Sequence, residues 1–309
     1  MTLRVTFLGT GGAVPTTERN TSAIAVNREG DQLLFDAGEG TQRQMMRFGT
    51  GFAVSDVFLT HLHGDHVLGL PGLLQTWGFN DRTAPLTVHV PQGTRRDVQD
   101  MLHAADTDPD FPVTVSETAP GEVALDGDGY EVRAVATAHR TAALGYALVE
   151  DERKGRFDRE RAQELGVPVG PKFSALHDGD AVELDDGTVI DPEEVVGEPR
   201  PGRRLVYTGD TRPTDSVIEA ASEADLLIHD ATFADDHHDR ARDTGHSTAR
   251  EAAEVAAEAG VARLALTHLS SRYAGESGRL HREAASVAAF DGTVTVPADG
   301  DEVNVPYPE

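Results

Sequence analysis

His61, His63, Asp65 and His66 fall within six consecutive residues of the stretch FLTHLHGDHVLGLPGLL, residues 58 to 74, with an apolar run on either side. Imidazole and carboxylate suit zinc, manganese or iron(II), and two ligand sets side by side can hold two ions. In an extended segment residues two apart face the same way, so His61 and His63 project together. A turn at Gly64 then brings Asp65 and His66 around the same space. Three histidines at that spacing favour a metal cradle over a helix cap at Asp65 or a solvated cluster. Four ligands do not complete two sites, and the chain offers three more. His139 follows YEVRAVATA, Asp210 follows RRLVYTG and His268 follows VARLALT, each directly beyond a β-rich apolar run, which places all three on one rim. A carboxylate has two oxygens and can bridge two cations, which makes Asp210 the natural shared ligand. Taken singly, a strand-end histidine is more often structural. His89, His103, His177, His237, His238 and His281 match no such pattern and read as ordinary.

Positioning these residues requires strands that end where the ligands begin. LRVTFLG, SAIAVN and DQLLFDAG read as strands, the last two joined by a turn at Asn27–Gly30, and GTQRQMMRFG reads as a short helix. VSDVFLTH is a further strand. RRLVYTGD with PTDSVIEAASEA, and DLLIHDAT with STAREAAEVAAEAG, repeat a strand-then-helix scheme, followed by VARLALTH and DEVNVP. The alternation suggests α/β layers. Helix starts are signalled at Ser247-Thr248 and Pro213, and a stop at Gly260. Residues 150 to 200, rich in charge, glycine and proline, break the pattern and read as an insertion in a single domain spanning 1–309.

The chain has 27 basic and 53 acidic residues, and 27 − 53 = −26; Lys154 and Lys172 are its only lysines, and cysteine is absent. Such charge costs self-repulsion in dilute salt, but at about 1 M salt the Debye length is only about 3 Å, so the composition points to a high-salt cytoplasm. No stretch approaches the roughly 20 apolar residues that span a bilayer, and no basic-apolar leader opens the sequence, so a cytoplasmic protein is expected. The acidity argues against a nucleic-acid partner. One segment runs the other way: between Asp151 and Arg161 five basic residues, Arg153, Lys154, Arg156, Arg159 and Arg161, face four acidic ones.

His-x-His-x-Asp-His with His139, Asp210 and His268 resembles the metallo-β-lactamase superfamily. PTTERN (15–20), GVPVGP (166–171), HDAT (229–232), GHST (245–248) and THLSSRY (267–273) further resemble the ribonuclease Z family, endonucleases that trim precursor tRNA at its 3′ side. The segments follow the family's order along nearly the whole chain. The family often has lysine at Thr17 and glutamate at Asp230. The second change keeps the carboxylate and shortens its reach.

The resemblance implies an α/β fold, a four-layer αββα sandwich with a protruding arm at about 150–195. It implies two Zn2+ per subunit, one on His61, His63, His139 and Asp210, the other on Asp65, His66, His268 and Asp210. Asp65 would orient the attacking water and take its proton, His246 would protonate the ribose O3′ with Asp230 orienting it, and Asp36 would fix a ligand histidine's tautomer. Arg19, Asn20 and Arg272 would contact substrate. Arg153, Lys154 and Arg156 in the arm would grip the tRNA body, the arm of one subunit serving its partner in a homodimer. The products would be tRNA with a 3′-hydroxyl and a trailer with a 5′-phosphate. Another dinuclear metallohydrolase, a phosphodiesterase or thioesterase, is the alternative enzyme; a silent tRNA-binding protein is the non-enzymatic one. With −26 formal charges, folding is expected to depend on salt. The melting temperature should climb between low salt and about 1 M KCl, and a flat profile contradicts the high-salt reading.

Overall fold

The computed structural model describes residues 2–103 and 109–308. It divides into two compact units, one running to Val149 and again from Arg203 to Pro306, the other from Glu150 to Gly202 with the chain end from Tyr307.

The first unit is built on two seven-stranded sheets. In the first, Leu3–Gly9, Ala23–Arg28 and Asp31–Phe35 pair antiparallel, with Glu302–Asn304 on the outer edge. Val54–Phe58, Leu86–Pro91 and Val113–Thr118 then add in parallel. The turn after Arg28 uses Glu29 at φ 55° and Gly30 at φ 118°, the left-handed pair a tight hairpin needs. In the second sheet Arg204–Tyr207, Leu226–Asp230, Arg263–Thr267 and Thr293–Thr295 run parallel, and Leu144–Glu150 joins Arg204–Tyr207 antiparallel. Tyr130–Ala136 and Val123–Gly127 complete it.

Strand residues alternate between two cores, as period-2 geometry requires. Leu33 and Phe35 enter a core shared with Tyr146, Leu205, Tyr207 and Ile228 of the other sheet. Leu34 points the opposite way, into a core with Met45, Leu70, Leu73 and Trp77 from the helices Thr41–Phe48 and Leu70–Phe79. On the far face of the second sheet, Leu227, Leu264 and Leu266 pack against Ala249, Ala252, Ala253 and Ala256 of the helix Ala249–Glu258. The layers are therefore helix, sheet, sheet, helix, the αββα sandwich expected. Among the described residues no helix is long and apolar enough to cross a membrane.

Local signals operate where the sequence placed them. Thr248 caps Ala249–Glu258, its hydroxyl accepting from Glu251 N–H while the Glu251 carboxylate accepts from Thr248 N–H, a reciprocal capping box. Gly260 lies beyond the helix at φ 67°. The expected strand VSDVFLTH is shorter: the strand ends at Phe58, and Leu59 and Thr60 keep single backbone bonds, Leu59 N–H to the His89 carbonyl at 2.9 Å and Leu144 N–H to the Thr60 carbonyl at 2.8 Å, before the helix Gly64–Val67 turns the chain. The PTDSVIEAASEA helix is likewise confined to Asp215–Ala220, capped by Thr214.

The second unit has its own apolar cluster of Ala162, Val167, Leu176, Val182, Ile190 and Val195. Two helices, Arg159–Glu164 and Pro171–Asp178, and the hairpin Val182–Glu183 with Val189–Ile190 supply it. Its charge is divided along the chain. Six basic residues and three acidic ones lie between Arg153 and Lys172, whereas Asp178 to Glu198 holds nine acidic residues and no lysine or arginine. The unit's basic residues are thus concentrated in its first half, with Arg200 the exception near its end.

Candidate metal centre

Six of the strands named above deliver the site from their carboxyl ends. Thr60 and His61 follow Val54–Phe58, Asp36 follows Asp31–Phe35, His139 follows Tyr130–Ala136, Asp210 follows Arg204–Tyr207, Asp230 ends its strand, and His268 follows Arg263–Thr267. All seven residues read as metal ligands come together. His61 Nε2 lies 2.9 Å from His63 Nδ1, which is 3.3 Å from His139 Nε2. Asp210 Oδ2 is 3.6 Å from His61 Nε2 and 3.9 Å from His139 Nε2. On its other side Asp210 Oδ1 is 3.3 Å from His66 Nε2 and 3.2 Å from His268 Nε2, and Asp65 Oδ2 is 3.2 Å from His268 Nε2. The two groups thus share one carboxylate, an oxygen to each. Asp210 Oδ1 is buried and has no hydrogen-bond partner among the described residues. A buried, orphaned carboxylate oxygen flanked by converging imidazole nitrogens is a donor set that fits a divalent cation.

The opposite edge of each buried imidazole is tied down. His66 Nδ1 is 2.7 Å from Asp36 Oδ2, and Asp36 also accepts from Thr60 N–H at 2.8 Å and from the Tyr207 hydroxyl at 2.8 Å. His139 Nδ1 donates to the Gly245 carbonyl at 2.8 Å. The Thr60 hydroxyl gives its proton to Asp36 and therefore accepts from His61 Nδ1 at 3.1 Å. Thr232 works the same way: its hydroxyl donates to Asp230 Oδ1 at 2.6 Å and accepts from His268 Nδ1 at 2.8 Å. Each contact leaves the other ring nitrogen free for the centre. His268 itself sits at φ 60°, and a Cβ on Gly12 would fall 2.6 Å from its ring, so only glycine fits there. Thr60, Thr232 and Gly12 escaped the sequence reading. The first two were visible only as the threonines of THLH and HDAT.

Electrostatics follow from this crowding. Burial pushes His61 well below the usual imidazole range, with His66 adding to it, and burial also lowers His63 and His139. For Asp210 burial alone favours the neutral acid, but His268 and His66 outweigh it and hold the carboxyl well below its usual range. Asp65 is lowered likewise, the His268 hydrogen bond overcoming burial. His66 moves upward, because Asp210 and Asp36 outweigh its burial. Ionised carboxylates among mostly neutral imidazoles are the protonation states that metal binding requires.

Beside this group stands a second pair. His246 Nδ1 is 2.8 Å from Asp230 Oδ2, so the aspartate, for all its shorter side chain, makes the contact. Asp230 is fully buried and, besides the Thr232 hydroxyl, accepts from two backbone groups, Thr232 N–H at 2.8 Å and Thr211 N–H at 3.2 Å. The His246 ring lies 5.1 Å from that of His139 and 5.2 Å from that of His268, next to both ligand groups. Burial opposes charge on His246, but the Asp230 carboxylate outweighs it and its pKa is pushed up to about 9.

The expected substrate contacts divide. Arg272 is exposed and lies 5.2 Å over the Phe233 ring, which is 6.0 Å from His246. Arg19 and Asn20 are taken up internally: Arg19 Nη1 donates to Thr10 Oγ1 and to the Pro297 carbonyl, both at 2.6 Å, and Asn20 Nδ2 donates to the Glu39 carbonyl at 2.7 Å. In the second unit Arg153 donates to the carbonyls of Pro201 and Pro308 and covers the Tyr307 ring at 4.0 Å. Lys154 pairs with Asp178 at 2.6 Å, and Arg156 is exposed.

Sequence and fold both have counterparts among known proteins. The profile of the Metallo-beta-lactamase superfamily matches residues 16–268, and the chain belongs to that superfamily. It is 65% identical over 309 residues to ribonuclease Z of Halobacterium salinarum, covering 100% of this chain and 99% of that one. Identity to ribonuclease Z of Myxococcus xanthus is 50%, covering 98% of each chain. Within the superfamily, then, the chain belongs to the ribonuclease Z family. In three dimensions it is similar to the crystal structure of human tRNase Z, short form (ELAC1), with a TM-score of 0.71 at 28% identity over 98% of this chain and 99% of that one. YhfI from Bacillus subtilis, at a TM-score of 0.70 and 21% identity over 98% of this chain and 100% of that one, shares the fold.

The His246 shift makes a thermodynamic prediction for metal-free protein. A pKa raised from 6.5 to about 9 stabilises the fold fully below pH 6.5, and that stabilisation, of order 3 kcal/mol, is lost as the pH rises through 9. Asp230→Asn removes its main source. Chemical denaturation at pH 6 and pH 9.5 should show the loss in wild type and a much smaller one in the variant; equal losses in both would assign the effect to another group.

Proposed function

We propose that the chain is a zinc-dependent endoribonuclease that removes the 3′ trailer of precursor tRNA, leaving a 3′-hydroxyl on the tRNA and a 5′-phosphate on the trailer. The observation that carries the reading is Asp210, one carboxylate shared by two ligand groups, with the Asp230–His246 pair at their edge. His61, His63, His139 and Asp210 would hold one zinc, and Asp65, His66, His268 and Asp210 the other. When bound, such a pair of ions lowers the pKa of water and neutralises charge that builds on the phosphate.

The chain's own groups perform the proton transfers. Asp65, kept ionised and fixed by the Ala13 N–H at 2.7 Å, accepts the proton of the attacking water. His246, kept protonated at neutral pH by Asp230, delivers a proton to the departing ribose O3′. Arg272, exposed over Phe233, is placed to meet a phosphate near that leaving group. Arg153 and Lys154 have partners inside the second unit, so Arg156 and its neighbours in the basic half carry the grip on the tRNA body. We read the enzyme as a cytoplasmic homodimer. Relatives at 60–65% identity come from halophilic archaea, which agrees with an acidic chain working in salt.

Incubation with a 3′-extended precursor tRNA in molar KCl, with both product ends mapped, tests the reaction. Asp210→Ala should abolish cleavage and reduce bound zinc, because it removes a ligand from both sites; wild-type zinc content and turnover in that variant would sink the assignment.

The second unit gives a separate test. Gly202 packs against the Glu150 carbonyl so tightly that a Cβ would lie 2.4 Å from it, so the unit's two ends meet and a short Gly/Ser linker can replace residues 151–201. Bis(p-nitrophenyl) phosphate should then be hydrolysed at a similar rate while precursor tRNA binds far more weakly, since remote contacts supply binding energy. Unchanged tRNA affinity would place the grip elsewhere.

A further inference from the structure

We infer that Asp299 is a positioning residue, which clips both ends of the Thr10–Asn20 loop and thereby sets where that loop crosses the metal centre and how Asp65 is held. The inference rests on the metal-dependent reading above. Asp299 lies in the connection between Thr293–Thr295, at the edge of one sheet, and Glu302–Asn304, at the edge of the other. Its Oδ1 accepts from Thr10 N–H at 3.1 Å and from the Thr10 hydroxyl at 2.8 Å. Its Oδ2 accepts from Asn20 N–H at 2.6 Å and from Gln44 Nε2 at 2.8 Å. Four donors converge on one carboxylate, three of them from the first and last residues of the loop. Only an ionised carboxylate offers acceptors alone at both oxygens.

The loop so pinched touches the centre at two points. Gly12 lies against the His268 ring. Ala13, at φ 67°, aims its N–H at Asp65 Oδ2 from 2.7 Å. A non-glycine residue keeps that left-handed conformation only where its surroundings impose it. Ala13, Val14 and Pro15 are exposed, and the tip is closed by Thr16 Oγ1, which accepts from Arg19 N–H at 2.9 Å. The loop's position is therefore set below its tip, by its base and by the short parallel pairing of Gly11–Gly12 with Leu269–Ser270. At the base Gly11 N–H donates to the Asn20 carbonyl at 2.8 Å, and Arg19 ties Thr10 Oγ1 to the Pro297 carbonyl. Asp299 thus acts on Asp65 through Thr10, Asn20 and Ala13, without touching the reacting atoms.

The test uses full-length protein loaded with zinc. Asp299→Asn keeps the side chain's size but turns part of its acceptor edge into an N–H donor facing other donors. One of the two zinc ions should be lost at a dipicolinate concentration about tenfold below that needed for wild type, as is typical when a ligand's outer support is removed. Turnover number should fall about tenfold for both bis(p-nitrophenyl) phosphate and precursor tRNA, with KM for the small diester little changed. A variant that melts earlier yet keeps both ions and wild-type turnover overturns the inference, since Asp299 then serves folding alone. Should Asp299→Asn fail to fold, Thr10→Val is judged on the same criteria, because it removes one donor to Asp299 and the acceptor of Arg19 while keeping the side chain's shape. A wild-type protein that binds no zinc or leaves precursor tRNA uncut overturns the functional reading instead, before any variant is compared.

Discussion

The structure is organised around the burial of one carboxylate, Asp210, among imidazoles. A carboxylate removed from water is costly unless positive charge or hydrogen-bond donors replace its hydration. Here Oδ1 faces His66 and His268 and Oδ2 faces His61 and His139, and among the described residues no backbone N–H bonds either oxygen. The imidazole nitrogens approach one another to within 2.9–3.3 Å, an arrangement of lone pairs that is unfavourable until protons or cations stand between them. The polypeptide maintains this by holding each buried ring from behind.

That holding is done by groups that belong to the sandwich rather than to the centre. Tyr207 lines the inter-sheet core beside Phe35, and its hydroxyl reaches Asp36, which in turn grips His66. Thr232 ties His268 to Asp230, and Asp230 holds His246. The same hydrogen-bond chain therefore links His268, a proposed ligand, to His246, the proposed acid. Dense packing between the sheets transmits position to these groups, because a close-packed interior leaves little room for a ring to turn.

The acidic surface and the nucleic-acid substrate are reconciled by distribution. The second unit keeps its lysines and most of its arginines in its first half and leaves the second half acidic. A few guanidinium groups suffice where salt screens the remaining charge, since bidentate contacts act at short range and self-repulsion acts at long range.

The sequence by itself determined the candidate ligand types and their order along the chain. It placed His61, His139, Asp210 and His268 beyond β-rich runs, because an apolar period-2 run that stops at a histidine or aspartate is a local pattern. His63, Asp65 and His66 were legible as candidates from their spacing around His61, and the Thr248 helix start from its capping residues. Family motifs added Asp36, Asp230 and His246. What only the tertiary structure decided is the support: Thr60 behind His61, the Gly12 backbone against His268, Ala13 on Asp65, and Asp299 bonded to Thr10 across 289 residues. It likewise decided that Arg19, Asn20 and Arg153 spend their donors inside the protein. Strand periodicity is set by neighbouring residues and can be read from them. A hydrogen bond between a loop near one end of the chain and an aspartate near the other leaves no periodic trace, since it exists only once the two sheets have packed and brought those ends together.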